Sequence, residues 1–301
     1  MTIVIDPYQN LDLLAIARWQ YGPTAYLGPY PDHAYKWQAF LPGKTTPLSL
    51  DLQGYYDRAK RPDGSLLFGP YYRVVLIGMG GDGWKVFNTR KWFGHVLPVV
   101  HIASDFVWKP VDVKTGVDNF LFNVLATSDW YATQIGKGLR VLKPCIIPGT
   151  MSSVDWYNMY VSQVDRYDTL KKCEESIYSF FNNYMNSGIL YAATQFTGLA
   201  SKTWDWDAAA VALKANSGLL TVVSSFATCH RYDPNDTESL DNTAVYALTH
   251  EFGHNFRLGH TDPVKAGTTE IGDAVMQTAR PPKAKLFPYE KEIVSSSMFF
   301  T

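Results

Sequence analysis

The sequence predicts an α+β chain, on three observations. A long opening stretch is punctuated by Gly-Pro and Pro-Gly turns. The second half alternates apolar β-branched runs with segments whose apolar residues recur every three or four positions. Near the end, one apolar helix carries the pattern H-E-x-x-H.

Composition narrows the field first. With 301 residues, the chain is long enough for one large domain or two smaller ones. A hydrophobic content of 46% permits an ordinary core and argues against disorder. The net charge of −1 offers no electrostatic case for nucleic acid or an anionic membrane. Cys145, Cys173 and Cys229 are widely spaced and form no C-x-x-C, so neither a thiolate metal site nor a disulfide framework is indicated. The start, Met1 to Pro7, has no basic region followed by an apolar one, and no run approaches the ~18 apolar residues that span a bilayer. The expectation is a chain made without an ordinary secretion signal: cytoplasmic, exported by another route, or part of a larger particle. Nineteen Tyr and nine Trp suit a protein interface or a glycan platform as well as an aromatic core.

Taken in order, residues 1–70 read as loops and extended segments around one helical patch, Leu11–Gln20. Arg61-Pro62-Asp63-Gly64 reads as a tight turn between two strands, letting Tyr55-Tyr56 and Tyr71-Tyr72 pair across it. Tyr72–Ile77 and Val96–Ile102 are apolar strands. The glycine-rich Gly78–Gly83 lacks a following helix and any G-K-S/T, so it reads as a turn rather than a phosphate loop. A short helix is expected at 117–136, a strand at Leu139–Ile147, an amphipathic helix at Asp165–Met185 and a strand at Ile189–Phe196. Trp204–Ala215 reads as a helix ended by Asn216-Ser217-Gly218, followed by a strand at Leu219–Phe226. Asp241 or Asn242 fits the N-cap of the motif helix, and Pro288–Met298 reads as a last helix. The boundary falls near 135–138, giving a β- and loop-rich module over 1–137 and a second domain over 138–301, with Pro148-Gly149 as the other candidate.

The motif runs from Thr249 to His260 and holds three of the seven histidines. On a helix, His250 and His254 lie one turn apart on one face. They can aim two imidazoles at one ion, such as Zn²⁺ with its Zn–N distances of about 2.0–2.1 Å. Glu251 lies beside the first of them, placed as a general base rather than a ligand. Ala244, Val245, Ala247, Leu248, Phe252 and Phe256 make the helix apolar. Burying two histidines and a glutamate there without a metal or partners would cost several kcal/mol, on the order of the desolvation of unpaired polar groups.

With His260 six residues after His254, and Met276 in Ala274-Val275-Met276-Gln277, the stretch resembles the metzincin clan of zinc metallopeptidases. The likeness is clear over about 60 residues, from Asp241 to the end. It implies a twisted mixed sheet with long helices, an active-site helix and a small C-terminal subdomain. It also implies Zn²⁺ held by His250, His254 and His260, with Met276 as a structural floor in a tight turn. The clan places Gly where this chain has Arg257, with Gly259 two residues later. Since Arg tolerates positive φ poorly, the helix is expected to continue past Arg257 and break at Gly259. Thr278 stands where some members carry a Tyr ligand, so no such ligand is carried over. Gly267-Thr268-Thr269-Glu270-Ile271 lacks the Asp an aspzincin would need. Asp262, Glu270 and Asp273 stay open as alternative third ligands.

The resemblance implies a zinc-dependent endopeptidase in which Glu251 deprotonates the attacking water, with a protein or peptide as substrate. Two other functions remain open from the sequence. One is a structural or adhesion component that uses the same scaffold, with the aromatic N-terminal module contacting an assembly partner. The other is a zinc amidase acting on cell-wall peptides.

Overall fold

The computed structural model describes residues 2–30, 33–78, 83–105, 110–149, 151–156, 166–181, 188–196, 210–215, 218–223, 226–235, 243–277 and 279–301. By contacts the chain divides into two compact units. One contains Met1–Asp6, Trp92–Ile177 and Tyr184–Thr301, and the other Pro7–Lys91 with Tyr178–Asn183. The strand at 96–102 belongs by contacts to the same unit as the motif helix.

In chain order the first elements are β1 (Val4–Ile5), β2 (Tyr8–Asn10), α1 (Leu13–Tyr21), β3 (Tyr26–Tyr30), β4 (His33–Phe40), α2 (Leu52–Arg58), β5 (Tyr72–Leu76), β6 (Trp84–Asn88) and β7 (Val96–Ile102). Then come α3 (Pro110–Ile135), β8 (Val141–Leu142), β9 (Cys145–Pro148), α4 (Arg166–Phe180), β10 (Leu190–Phe196), β11 (Ala210–Ala215) and β12 (Gly218–Val223). The last are α5 (Phe226–Cys229), α6 (Thr243–Asn255), α7 (Pro263–Ala266) and α8 (Pro288–Ser295). The chain is thus α+β with a mixed sheet and several helices.

In the smaller unit, β6 pairs antiparallel with β2 and β5, and β3 pairs with β4. The turn expected at 61–64 is present, with Gly64 at φ 82° and Gly64 N donating to Arg61 O at 2.9 Å. Its N-terminal flank is a helix, α2, and not the strand the sequence suggested. Asp51 caps that helix, accepting from Gly54 N at 2.9 Å. Gln53 then takes the place of a neighbouring strand for β5, accepting from Val74 N (2.8 Å) and donating to Tyr72 O (3.1 Å). The tyrosines do meet, but as a helix packing on a strand: Tyr56 stacks on Tyr72 at 6.1 Å.

In the larger unit the strands run β11-β12-β10-β7-β9. All neighbours are parallel except β11, which is antiparallel to β12. Every residue of β7 and β10 is buried, as expected for central parallel strands covered on both faces. The single strand expected at 139–147 is two short ones, β8 and β9, separated by Lys143-Pro144. Proline has no N–H for the ladder, which accounts for the break. Both lie along β7, and β8 also pairs with β1.

The helix expected at 204–215 is corrected in its described part. Residues 210–215 form β11, paired from Ala210↔Val223 to Ala215↔Gly218. Ala, Val and Leu side chains suit either element, and Gly218, read as part of a helix end, is the first residue of β12, while Asn216 and Ser217 lie outside the described residues. Residues 204–209, the loop interior 79–82, the candidate caps Asp241 and Asn242, and Thr278 lie outside the described residues.

The helix expected at 117–136 is longer, starting at Pro110. Val113, Val117, Phe120, Val124, Thr127 and Tyr131 form its buried stripe at three- and four-residue spacing. Gly116 lets the Phe196 ring sit against its backbone, since an added Cβ would meet Phe196 Cδ2 at 2.5 Å. Asn123, fully buried, donates to the carbonyls of Ala227 (3.1 Å) and His230 (2.8 Å) and accepts from Tyr232 N (2.9 Å). It thereby ties the loop after α5 to α3.

His101, near the end of β7, is 2% exposed, lies against Trp156 at 5.6 Å, and its Nε2 has no hydrogen-bond partner among the described residues. Burial pushes its pKa down from 6.5 to about 4. Between those values the unfolded chain holds a proton that the folded chain refuses. The contribution to stability is whole above pH 6.5 and declines as pH falls towards about 4, by up to about 1.4 kcal/mol per pH unit. His101→Leu should shrink the difference between denaturant midpoints measured at about pH 7.5 and about pH 5. An unchanged difference would show that His101 is not buried in its neutral form.

Candidate metal centre

The motif helix α6 is held by its own apolar residues and by partners on α3 and β12. Val245, Leu248, Phe252 and Phe256 are buried. Tyr131 of α3 donates to Thr249 O at 2.7 Å, and its ring meets Phe256 at 5.5 Å. Burial raises the Tyr131 phenol well above its ordinary pKa, so it stays a donor. At the C-terminal end, Asn255 Nδ2 donates to Thr221 Oγ1 of β12 at 3.0 Å.

The helix ends earlier than the sequence suggested. Asn255 is its last residue, and Arg257 takes φ 77°. Leu258 N donates to Gly253 O (2.9 Å) and Arg257 N to His254 O (3.0 Å), the paired bonds of a Schellman end with Arg257 at the left-handed position. Gly259 is not among the positive-φ residues. The expectation of a break at Gly259 weighed the Arg penalty, on the order of 1–2 kcal/mol. What opposes that penalty is Leu258, 2% exposed, which the turn at Arg257 carries under the helix with its N–H on Gly253 O.

The turn brings His260 back to the helix histidines. Ring centroids are 4.9 Å apart for His250–His254, 5.5 Å for His250–His260 and 5.2 Å for His254–His260. One ligand nitrogen from each lies within 4.8 Å of the others, a spacing one ion can span. His250 and His254 are half-buried and His260 is exposed. His250 Nδ1 lies 2.8 Å from Val275 O, and His254 Nδ1 lies 2.9 Å from Leu258 O. A carbonyl only accepts, so each Nδ1 carries the proton and each Nε2 the lone pair. Burial pushes the His250 pKa down to about 4, against the Val275 hydrogen bond and helped by the charges of His254 and His260. The imidazole is then neutral at neutral pH, the state in which it ligates.

Three imidazoles converging on one point suit a borderline-soft divalent ion, and three protein ligands leave a coordination position open. The residues present therefore fit a catalytic metal. The alternative third ligands are engaged elsewhere or point to solvent. Asp262 Oδ1 accepts from Val264 N at 2.9 Å, Asp273 pairs with Lys285, and Glu270 is exposed. Glu251 is half-buried on α6, adjacent to His250.

Met276 is wholly buried in the turn Ala274–Gln277, whose Gln277 N donates to Ala274 O at 3.1 Å. It touches α6 at the only residue without a side chain between the two helix histidines. A Cβ added to Gly253 would meet Met276 Sδ at 2.3 Å. Several neighbours escaped the sequence reading. Val275 and Leu258 act through backbone carbonyls, which no motif records. Tyr246 lies 6.1 Å from the His250 ring, donates to Gln277 O at 3.3 Å, and is covered by the Arg280 guanidinium at 5.6 Å. Tyr246 lies one turn before His250 on the same face, a signal the helical period alone carries.

No protein-family model matches the chain, and no curated protein does. Among solved structures, it is similar to wild-type OgpA from Akkermansia muciniphila in one crystal form, with TM-score 0.42 and 12% identity over 69% of this chain and 62% of that one. A second crystal form of OgpA gives TM-score 0.38 and 14% identity over 70% and 63%. Metalloproteinase-II from Bacteroides fragilis gives TM-score 0.32 and 14% identity over 73% and 64%. The chain thus spans less than two thirds of the length of each of these chains. In the described residues, no helix is long and apolar enough to cross a membrane.

Two substitutions test this geometry. Arg257→Gly should be more stable than Arg257→Ala by about 1 kcal/mol, since both remove the charge and only Gly is at ease at positive φ. Equal denaturant midpoints would mean the left-handed turn is not kept. Gly253→Ala should destabilise the fold by about 1–3 kcal/mol, read as a lower denaturant midpoint, despite the better helix propensity of Ala, because the buried Met276 cannot yield without strain. A more stable Gly253→Ala would place Met276 elsewhere.

Proposed function

We propose that the chain is a zinc-dependent endopeptidase that hydrolyses peptide bonds. The observation that carries this reading is the convergence of His250, His254 and His260, with both helix imidazoles oriented through Nδ1 by backbone carbonyls. Those three residues would hold the zinc, and Glu251 stands next to the first of them. A bound zinc ion supplies Lewis acidity, polarising the scissile carbonyl and lowering the pKa of water.

The chain's own groups do the rest. Glu251 accepts the proton of the attacking water as its oxygen adds to the carbonyl carbon, and delivers it to the departing amine nitrogen. Val275 O and Leu258 O keep the two helix imidazoles in one tautomer through the cycle. Met276 closes the floor of the site and has no part in proton transfer. Substrate is a protein or peptide, and Zn²⁺ is the cofactor.

Wild type and Glu251→Gln, both loaded with zinc, should be digested against a peptide library and the products read by mass spectrometry. Cuts made by wild type and lost by at least a factor of about 10³ in the variant are expected, given the size of general acid–base and nucleophile activation together. Metal content should be equal in the two proteins. Equal cutting would remove Glu251 as the base. No cutting by zinc-loaded wild type would overturn the peptidase reading and favour the scaffold function.

A further inference from the structure

His260 is the one member of the triad outside the helix, so something other than α6 must hold it. The next residue, Thr261, is 4% exposed and is held at both polar ends. Its hydroxyl donates to Glu290 Oε1 at 2.7 Å, and its carbonyl accepts from Gln277 Nε2 at 3.1 Å. The following amide, Asp262 N, donates to the Tyr289 hydroxyl at 2.8 Å. That hydroxyl in turn donates to the same Glu290 oxygen at 3.2 Å. Two routes from the His260 loop thus end on Glu290 Oε1.

Glu290 itself is 0% exposed. Its other oxygen, Oε2, accepts from Phe287 N at 2.8 Å and closes the first turn of α8. A helix cap requires only that second oxygen, and a Gln can serve in the same box. A buried carboxylate is costly unless its lone pairs are filled. Here Oε1 is filled by Thr261, in the loop that follows His260, and by Tyr289 of α8, whose hydroxyl itself accepts from Asp262 N of that loop. The two carboxylate oxygens therefore have separable duties: Oε2 starts α8, and Oε1 fixes the loop.

We propose that Glu290 is a positioning residue for the third histidine: by anchoring Thr261 directly and Asp262 through Tyr289, it holds His260 in register with His250 and His254 before metal binds. This rests on the reading that the three histidines hold a metal ion. Without the anchor, ordering the loop would be charged against binding, and the ion would be held chiefly by the two helix histidines.

The test uses the full chain and the metal alone. Zn²⁺ affinity is measured by competition with a chromophoric chelator, and Co²⁺ loading is followed by its visible spectrum. Thr261→Val removes the hydroxyl and leaves the α8 cap intact, while Thr261→Ser restores it. Thr261→Val should weaken Zn²⁺ binding by about tenfold or more and shift the Co²⁺ bands, as for lost outer partners of a ligand. Thr261→Ser should bind within about twofold of wild type on the same scale. Glu290→Gln should fall between them, and combining it with Thr261→Val should add little. His260→Ala serves as the reference. If His260→Ala weakens binding and Thr261→Val does not, the proposal is overturned and the triad stands. If His260→Ala binds as wild type does, the triad reading fails and the proposal with it. Should Glu290→Gln fold poorly in thermal melts of the metal-free protein, the Thr261 pair decides the matter alone.

Discussion

Two carbonyl oxygens orient the centre. Val275 O and Leu258 O face His250 Nδ1 and His254 Nδ1. Each carbonyl belongs to a turn, and each turn is held close to α6 by a residue of α6. Gly253 leaves room for Met276, which brings Val275 into place, and Gly253 O accepts from Leu258 N. One glycine thus serves both turns, through a missing side chain on one side and a carbonyl on the other. The helix, the Met276 turn and the segment leading to His260 are in this sense a single unit of geometry, and none can shift without re-aiming an imidazole.

Behind that unit the scaffold is rigid for ordinary reasons. β7 and β10 are buried along their whole length, and α3 presents one long apolar stripe. Asn123 and Tyr131, a polar pair on the same helix eight residues apart, reach opposite targets: the loop after α5 and the backbone of α6. Both are buried with their groups bonded, so they act as fixed spacers rather than as adjustable contacts.

The parts of this arrangement that were legible in the sequence are those governed by local side-chain pattern. The apolar face of α6, the spacing of its two histidines and the last helix follow from the helical period, and the strands at 96–102 and 190–196 from short apolar runs. The parts that were not legible involve competition between levels. β11 carries residues suited to helix or strand, and only its pairing with β12 decides between them. α2 is a helix because Gln53 and the buried tyrosines find partners that way, which a local reading cannot see. At Arg257 a local penalty is outweighed by the burial of Leu258 and two backbone hydrogen bonds. The carbonyls that orient the histidines, and the Thr261–Glu290 contact across 29 positions, leave no trace in any local pattern.

The division of the chain carries a topological consequence. The first six residues belong with Trp92–Ile177 and Tyr184–Thr301, while Pro7–Lys91 and Tyr178–Asn183 make up the other unit. The polypeptide therefore crosses between the units four times, after Asp6, Lys91, Ile177 and Asn183. A detachable pro-segment would cross once, and a single peptide-bond cleavage would free it. Here one cut at any crossing leaves the smaller unit covalently tethered, and removing everything up to Lys91 would also strip β1 from its place beside β8. In chain order, the smaller unit is therefore two insertions into the larger one, one after Asp6 and one after Ile177.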